Sequence, residues 1–437
     1  MKDEIRICKN ISENENGELM FAGVNTLELA EKYGTPLYIM DENRIREMCS
    51  SFRDAIAREF GEKGRILYAS KACSFKRIYE IIASEKLHID VVSTGEIHTA
   101  VRAGFPMQNA YFHSNNKTDN DIKFAIDNKV GHFVVDNVEE LESLNRIAGE
   151  FGMKQKIILR VTPGIDPHTF EAVATGKVDS KFGSAIETGQ AEEITAHALK
   201  MENLIFEGFH CHVGSELFEA GVFIDTAKIM LEFVADMYHK LGCFPELLDL
   251  GGGFGVRYIA SQPTLDVDKT IGEIGGFIKN YCVQLGIEMP SIGFEPGRAI
   301  VADSGLTLYT VGTLKTIPGY KTYVSVDGGM TDNIRYALYG AEYTLAAAGK
   351  LNEDPDMVCS VVGKCCESGD IIQENIKLPS STSRGDILAC FTTGAYHYSM
   401  ASNYNRIPRP AIVMIADKKD YPAVRRETLD DLTNLDI

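Results

Sequence analysis

Four short segments carry residues whose types and spacing could do chemistry. Lys71 stands in Leu-Tyr-Ala-Ser-Lys-Ala-Cys (67–73), directly after an apolar run. Such an amine, partly shielded between Tyr68 and Ala72, could act as a nucleophile or Schiff-base former; without context it is equally a surface lysine. Gly-Phe-His-Cys-His-Val-Gly-Ser (208–215) brings His210 and His212 one residue apart. On a strand they would point the same way, so a metal pair must be weighed. No third ligand is apparent, and no metal is expected; an imidazole laid against a flat cofactor ring is the sharper alternative. Leu-Asp-Leu-Gly-Gly-Gly-Phe-Gly (248–255) offers backbone N–H groups that could converge on a phosphate, or a tight turn. It is neither a G-x-G-x-x-G fingerprint nor a P-loop. Phe-Glu-Pro-Gly-Arg (294–298) supplies a carboxylate, Glu295, able to keep a ring nitrogen protonated, and Arg298, able to grip phosphate or carboxylate.

These segments sit on a regular alternation. Short β-rich runs are expected at 66–69, 88–92, 110–112, 132–135, 157–161, 207–211, 247–250 and 292–294. Between them stand segments such as KRIYEIIASEK and FIDTAKIMLEFVADMYHKLG, with apolar residues at three- and four-residue spacing, as a helix packed on a sheet requires. Eight such units in roughly 230 residues suit a (β/α)8 barrel, whose C-terminal strand ends carry catalysis; a doubly wound open sheet is the alternative. All four segments follow strands and therefore fall on one face. Together they offer what pyridoxal phosphate needs: a carbonyl-binding amine, a ring-facing imidazole, a phosphate loop and a carboxylate for the ring nitrogen. After Pro296 long helical patterns nearly vanish and β-rich runs separated by turn residues take over, the mark of an all-β domain. FAGVN and PLYIM near the start could add strands to it. The expected division is 1–42, contributing strands to the β domain, then 43–298 and 299–437.

The 437 residues are 44% hydrophobic and 24% charged, an ordinary globular mix, and the formal charge of −18 argues against a nucleic-acid or anionic-membrane surface. Ten scattered cysteines without a C-x-x-C pair read as reduced thiols. No signal-peptide core or membrane-length apolar run is present, so a soluble cytoplasmic protein is expected.

Taken together, the motifs resemble the fold type III pyridoxal-phosphate decarboxylases, the group containing ornithine and diaminopimelate decarboxylases, over roughly residues 30 to 420. That family pairs an alanine-racemase-like barrel with a C-terminal β domain. The resemblance places the cofactor-bearing lysine on Lys71, and the ring-stacking and phosphate positions on His212 and Ser215. It places the glycine loop on Gly251, Gly252 and Gly253, and the E-P-G-R segment on Glu295, Gly297 and Arg298. Asp90, Glu96 and Arg160 match positions supporting the cofactor from nearby. RVTPGIDPHTFEAVATGKVDSKFG (160–183) and SNNKT (114–118) favour the diaminopimelate branch. There the resemblance assigns substrate contacts to Arg298, Arg335, Tyr339, Glu367 and Tyr396, with Tyr396 also touching cofactor, and the acid–base thiol to Cys366. Tyr336 stands where the family has proline, and Cys365 adjoins Cys366. Asp327 matches an amine-binding position of ornithine decarboxylases, and a turn explains it equally well.

The implied activity is decarboxylation of meso-2,6-diaminopimelate to L-lysine and carbon dioxide, the last step of lysine biosynthesis. The implied assembly is a homodimer in which Cys366 and Glu367 reach the partner's cofactor. The alternatives are decarboxylation of another amino acid or a carboxylated polyamine, a related racemase, and a non-catalytic homologue.

Overall fold

The computed structural model describes residues 5–165 and 179–437. Most of the diaminopimelate-type stretch at 160–183 (residues 166–178) lies outside the described residues. The chain forms two compact units: Met48–Gly255 with Leu265–Gly297, and Met1–Glu47 with Val256–Thr264 and Arg298–Ile437.

The first unit is a closed parallel barrel. Its strands are β1 (Gly64–Ala69), β2 (His88–Val91), β3 (Ala110–Phe112), β4 (His132–Val135), β5 (Gln155–Thr162), β6 (Leu204–His210), β7 (Leu247–Asp249) and β8 (Ser291–Phe294). Each pairs in parallel with its neighbour, β8 pairs with β1, and β4 pairs with β5, so no edge is left between them. The closed barrel holds, and the open doubly wound sheet does not. The apolar runs are continuous because both faces of these strands are covered. Leu67, Tyr111, Val134, Ile158 and Leu247 fill the interior, so the barrel is a packed core and the site must lie at its ends. Helices begin soon after the strands, fixed by side-chain caps: Ser93 Oγ accepts from Glu96 N, and Asn137 Oδ1 from Glu140 N. Because the strands are parallel, every strand-to-helix loop opens on the same end.

The second unit is β-rich. Its central strand, Gly305–Ile317, pairs antiparallel with Leu37–Asp41, Lys321–Val326 and Ile387–Phe391. Leu37–Asp41 lies parallel to Ala411–Ala416. The two-residue side-chain period sends Leu306 and Leu308 into a core with Leu37, Ile39, Phe391 and Val413. It sends Thr307 and Tyr309 to the other face, where Tyr309 Oη donates to Asp332 Oδ1 at 2.5 Å. Asp327 is tied into this framework: its carboxylate accepts from Thr310 N (2.8 Å) and Thr35 Oγ1 (2.5 Å), which favours the structural reading of that residue.

Candidate active site

Within the barrel unit, the strand ends gather a chain of titratable groups. Lys71 sits in a 3-10 turn, Ser70–Ala72, immediately after β1. Its side chain is half exposed, and Nζ donates to Asp90 Oδ2 at 3.4 Å. The amine therefore faces a carboxylate rather than the apolar shielding expected from Tyr68; the Tyr68 hydroxyl turns away to Cys73 O. Asp90 lies in β2 and is buried. Glu96, on the helix after β2, accepts from Val92 N at 2.7 Å; burial, with Asp90 nearby, pushes its carboxyl up to about 7.

Glu295 follows β8 and is buried between two imidazoles: Nε2 of His113 lies 3.0 Å from Oε1, and Nε2 of His210 lies 3.2 Å from Oε2. Burial alone would raise its pKa, but the two histidines outweigh burial and hold it well below the usual carboxylate range. Burial lowers His210 to about 4, so it is a neutral donor here. Asp249, at the end of β7, shares the region and takes the opposite state: burial and the Glu295 charge push it well above the carboxylate range. Two buried carboxyls are thus shifted in opposite directions. The ligand atoms of His113, His210 and Glu295 lie within 4.8 Å of one another, so the trio has the composition of a cation site; the sequence reading had weighed His210 with His212 instead.

That pairing is corrected by the strand boundary. β6 ends at His210, and His212 lies in the following loop, outside the period-two alternation. His212 Nδ1 accepts from Gly252 N at 3.2 Å, and burial, with Lys71 nearby, lowers its pKa well below the ordinary value. A neutral imidazole with a fixed tautomer results. Gly251 N donates to Asp249 Oδ1 (2.8 Å), so two of the three loop amides are used inside the protein instead of converging outward. The glycines are required by close approach of backbones. A Cβ would lie 2.5 Å from Cys211 O at Gly251, 2.1 Å from Glu295 O at Gly252 and 2.2 Å from Gly214 O at Gly253. The 212–217 and 251–255 segments are laced together by Leu217 N to Gly253 O and Gly255 N to Leu217 O, which brings the Ser215 segment beside the glycine loop in space. Gly297 packs with equal closeness on Ala69, beside the Lys71 turn. Arg160, two residues before the end of β5, has its guanidinium over the Phe182 ring at 4.4 Å.

A pyridoxal phosphate test rests on the orphaned atoms of this region. Glu295 Oε1 and Asp90 Oδ1 are buried without a hydrogen-bond donor in line, although His113 Nε2 is close to both. A protonated ring nitrogen is the donor Glu295 lacks, and Lys71 is an accessible amine at the same barrel end. The residues fit the group.

The β-rich unit gathers its own residues. Arg298 and Arg335 are both buried, and the Tyr396 ring lies between their guanidinium groups at 4.9 and 5.0 Å. Tyr396 adopts a left-handed φ of 65°, a conformation disfavoured for a bulky residue and held here by its surroundings. Arg335 begins the helix Arg335–Tyr339 and lies over the Tyr339 ring at 5.3 Å, as four-residue spacing implies. Tyr336 on the same helix donates to Glu374 Oε2 at 3.1 Å, so tyrosine at this position anchors the turn through a side chain. Cys366 is exposed, and Glu367 is exposed beside it. Cys365 differs: burial and the nearby Asp370 push its thiol up to about 12.

Three functional neighbours escaped the sequence reading. His113 stands immediately after β3, as Glu295 stands after β8, and position after a strand was the available signal. Tyr343 and Tyr258 accept from Arg335 Nε and Arg298 Nη1, each at 2.8 Å, and no local pattern marks them. Lys117 of SNNKT is a buried staple, donating to Glu140 Oε1 (2.8 Å) and Val134 O (2.8 Å).

The model of the pyridoxal-dependent decarboxylase pyridoxal-binding domain matches residues 42–302. The chain is 43% identical over 425 residues to a diaminopimelate decarboxylase of Bacillus subtilis (strain 168), covering 97% of this chain and 96% of that one. The chain belongs to the diaminopimelate decarboxylase family. A relative of the same name from Staphylococcus aureus (strain COL) is also 43% identical, over 96% of this chain and 97% of its own. Among solved structures, diaminopimelate decarboxylase from m. jannaschii in co-complex with L-lysine superposes with a TM-score of 0.92 at 32% identity, covering 100% of this chain and 99% of that one. Membership of the diaminopimelate decarboxylase family brings with it pyridoxal phosphate as cofactor and the barrel-plus-β architecture.

Proposed function

We propose that this chain decarboxylates meso-2,6-diaminopimelate to L-lysine and carbon dioxide, the closing step of lysine formation. The observation that carries the reading is full-length likeness to diaminopimelate decarboxylases at 43% identity, in a chain whose barrel mouth presents Lys71, Asp90 and Glu295 together. When bound, pyridoxal phosphate supplies a carbonyl for the amine and a protonated ring that draws the electron pair left by departing carbon dioxide.

In this proposal Lys71 would hold the cofactor through its amine, with Asp90 orienting its Nζ. Glu295, its pKa lowered by two imidazoles, would hold the proton at the ring nitrogen. His212, neutral and fixed by Gly252 N, packs on the ring. Ser215, Gly253 and the adjoining loop take the phosphate, since the Gly251 and Gly252 amides are already committed. Cys366 delivers the proton that replaces the lost carboxylate; its neighbour Cys365 keeps its own proton too tightly to titrate near neutrality. Arg335, with Arg298, Tyr339, Tyr396 and Glu367, recognises the distal amino-acid end. Arg335 is buried and has no ion pair among the described residues, which suits a ligand carboxylate, and a substrate lacking that carboxylate would leave it unmatched.

The family resemblance further implies a homodimer with shared sites, consistent with the exposure of Cys366 and Glu367. Among the described residues no helix is long and apolar enough to cross a membrane, and we place the enzyme in the cytoplasm, where its ten free thiols stay reduced.

The test is to supply purified holoprotein with meso-diaminopimelate and follow lysine and carbon dioxide. Lysine, ornithine and arginine should be poor substrates; a preference for any of them, or loss of optical rotation without gas, would replace this reading. Mixing inactive Lys71→Ala and Cys366→Ala proteins should restore about a quarter of wild-type activity if sites are shared across a two-fold interface. Cys365→Ala alone should remain active.

A further inference from the structure

We infer that His113 is a positioning residue for the cofactor ring, its Nε2 standing between Glu295 Oε1 and Asp90 Oδ1 until the ring nitrogen takes the first and the imidazole turns to the second. This rests on the reading that pyridoxal phosphate occupies the barrel mouth. The placement begins with the backbone. His113 N donates to Val91 O at 2.8 Å, extending the β2–β3 ladder by one residue, and the side chain is buried at the mouth.

Its Nε2 faces two carboxylate oxygens, Glu295 Oε1 at 3.0 Å and Asp90 Oδ1 at 3.8 Å. Both oxygens are buried and lack an in-line donor, and His113 Nε2 is itself unsatisfied. Nε2 thus stands near two acceptors and is aligned with neither, and the mouth is short of donors. A ring N–H arriving at Glu295 fills that deficit and frees His113 for Asp90, the carboxylate that holds Lys71. The imidazole has a pivot for this small rotation: it meets the His210 ring edge-to-face at 4.9 Å and 80°. His210 meanwhile keeps the other Glu295 oxygen, so the carboxylate stays in place as the donor on Oε1 changes.

The remaining charged neighbours, Asp136 after β4 and Arg160 in β5, influence these groups electrostatically. They oppose one another in sign, and the exchange is left to the groups in contact. A histidine suits the role because its N–H reaches either carboxylate without adding the fixed charge of a lysine, which would repel a protonated ring.

The experiment compares wild type with His113→Leu, His113→Asn and His113→Gln. Cofactor dissociation constants of the full-length proteins are measured by absorbance titration from pH 5.5 to 9, together with the pH dependence of the bound cofactor's spectrum. Leucine should weaken cofactor binding about tenfold or more, by leaving buried acceptors unsatisfied, and shift the spectral pH profile. Glutamine, which retains a donor of similar reach, should restore most of both, and asparagine less. Wild-type affinity and an unshifted spectrum in a folded His113→Leu protein would overturn the inference, as would a glutamine variant no better than leucine. If the wild-type protein itself took up no pyridoxal phosphate, the proposed function would fail instead.

Discussion

The two ends of the barrel carry similar residue types arranged to opposite effect. At the strand starts, Glu207 contacts His132 Nδ1 at 2.7 Å and the Lys156 ammonium at 2.5 Å. Tyr111 stacks on His132 at 4.1 Å and accepts from Arg65 Nη1 at 2.9 Å. At the strand ends, Glu295 contacts two imidazoles, His113 and His210; in each cluster one carboxylate oxygen, Glu207 Oε2 or Glu295 Oε1, has no donor in line. Burial pushes both carboxylates up, and in both the partners overcome it and lower the pKa. The difference is the kind of partner. Glu207 has a lysine ammonium among its partners. One end is thus anchored by a fixed ammonium; the other is held by imidazoles alone.

That contrast can be broken by four measurements. Lys71→Ala at the open end should abolish turnover by more than about a thousandfold while leaving the melting temperature nearly unchanged, since the side chain is half exposed. Glu207→Leu at the paired end should do the reverse. It strands His132 and Lys156, costs about 3 kcal/mol by urea denaturation, and leaves turnover of the folded protein intact. Were the two variants to show the same profile, the division of labour would be wrong.

Acid should then report both ends. Burial lowers His88, near the strand starts, and His210, at the mouth, to about 4 from an ordinary 6.5. Between those values the unfolded chain binds protons that the folded one refuses, so stability falls as pH drops from about 6.5 to 4. Melting curves across that range should show it, and His88→Asn should remove part of the slope. The smallest effect is expected of Lys156→Met. Its half-exposed partner charge is worth at most about 1 kcal/mol, with cofactor affinity unaltered.

Much of this was legible in the sequence because a parallel barrel has simple periodicity. Runs such as 133–135 and 292–294 carry no polar side chain because both faces are covered, and whatever follows them reaches the mouth. Lys71 and Glu295 were found that way. His113 obeys the same rule but lacks a companion motif, so a lone histidine after a short strand looked ordinary. The glycine loop was recognised while its cause was not. Its residues are small because the loops after β6 and β8 press on it, and its amides partly serve Asp249 and His212. Tyr343 and Tyr258 are separated by 85 positions yet their rings meet edge-to-face at 5.2 Å, a contact with no local signature.

The sequence by itself determined the eight strands, the amine after the first, the carboxylate after the last and the β-rich remainder, because those follow from period, turn chemistry and residue type. Only the tertiary structure decided which charges are neutralised and which stay available. Protonation states depend on burial and on partners brought within about 4 Å, where Coulomb and hydrogen-bond energies become large. Asp249 and Glu295 are both buried acids after apolar runs; folding alone pushed the pKa of one up and of the other down.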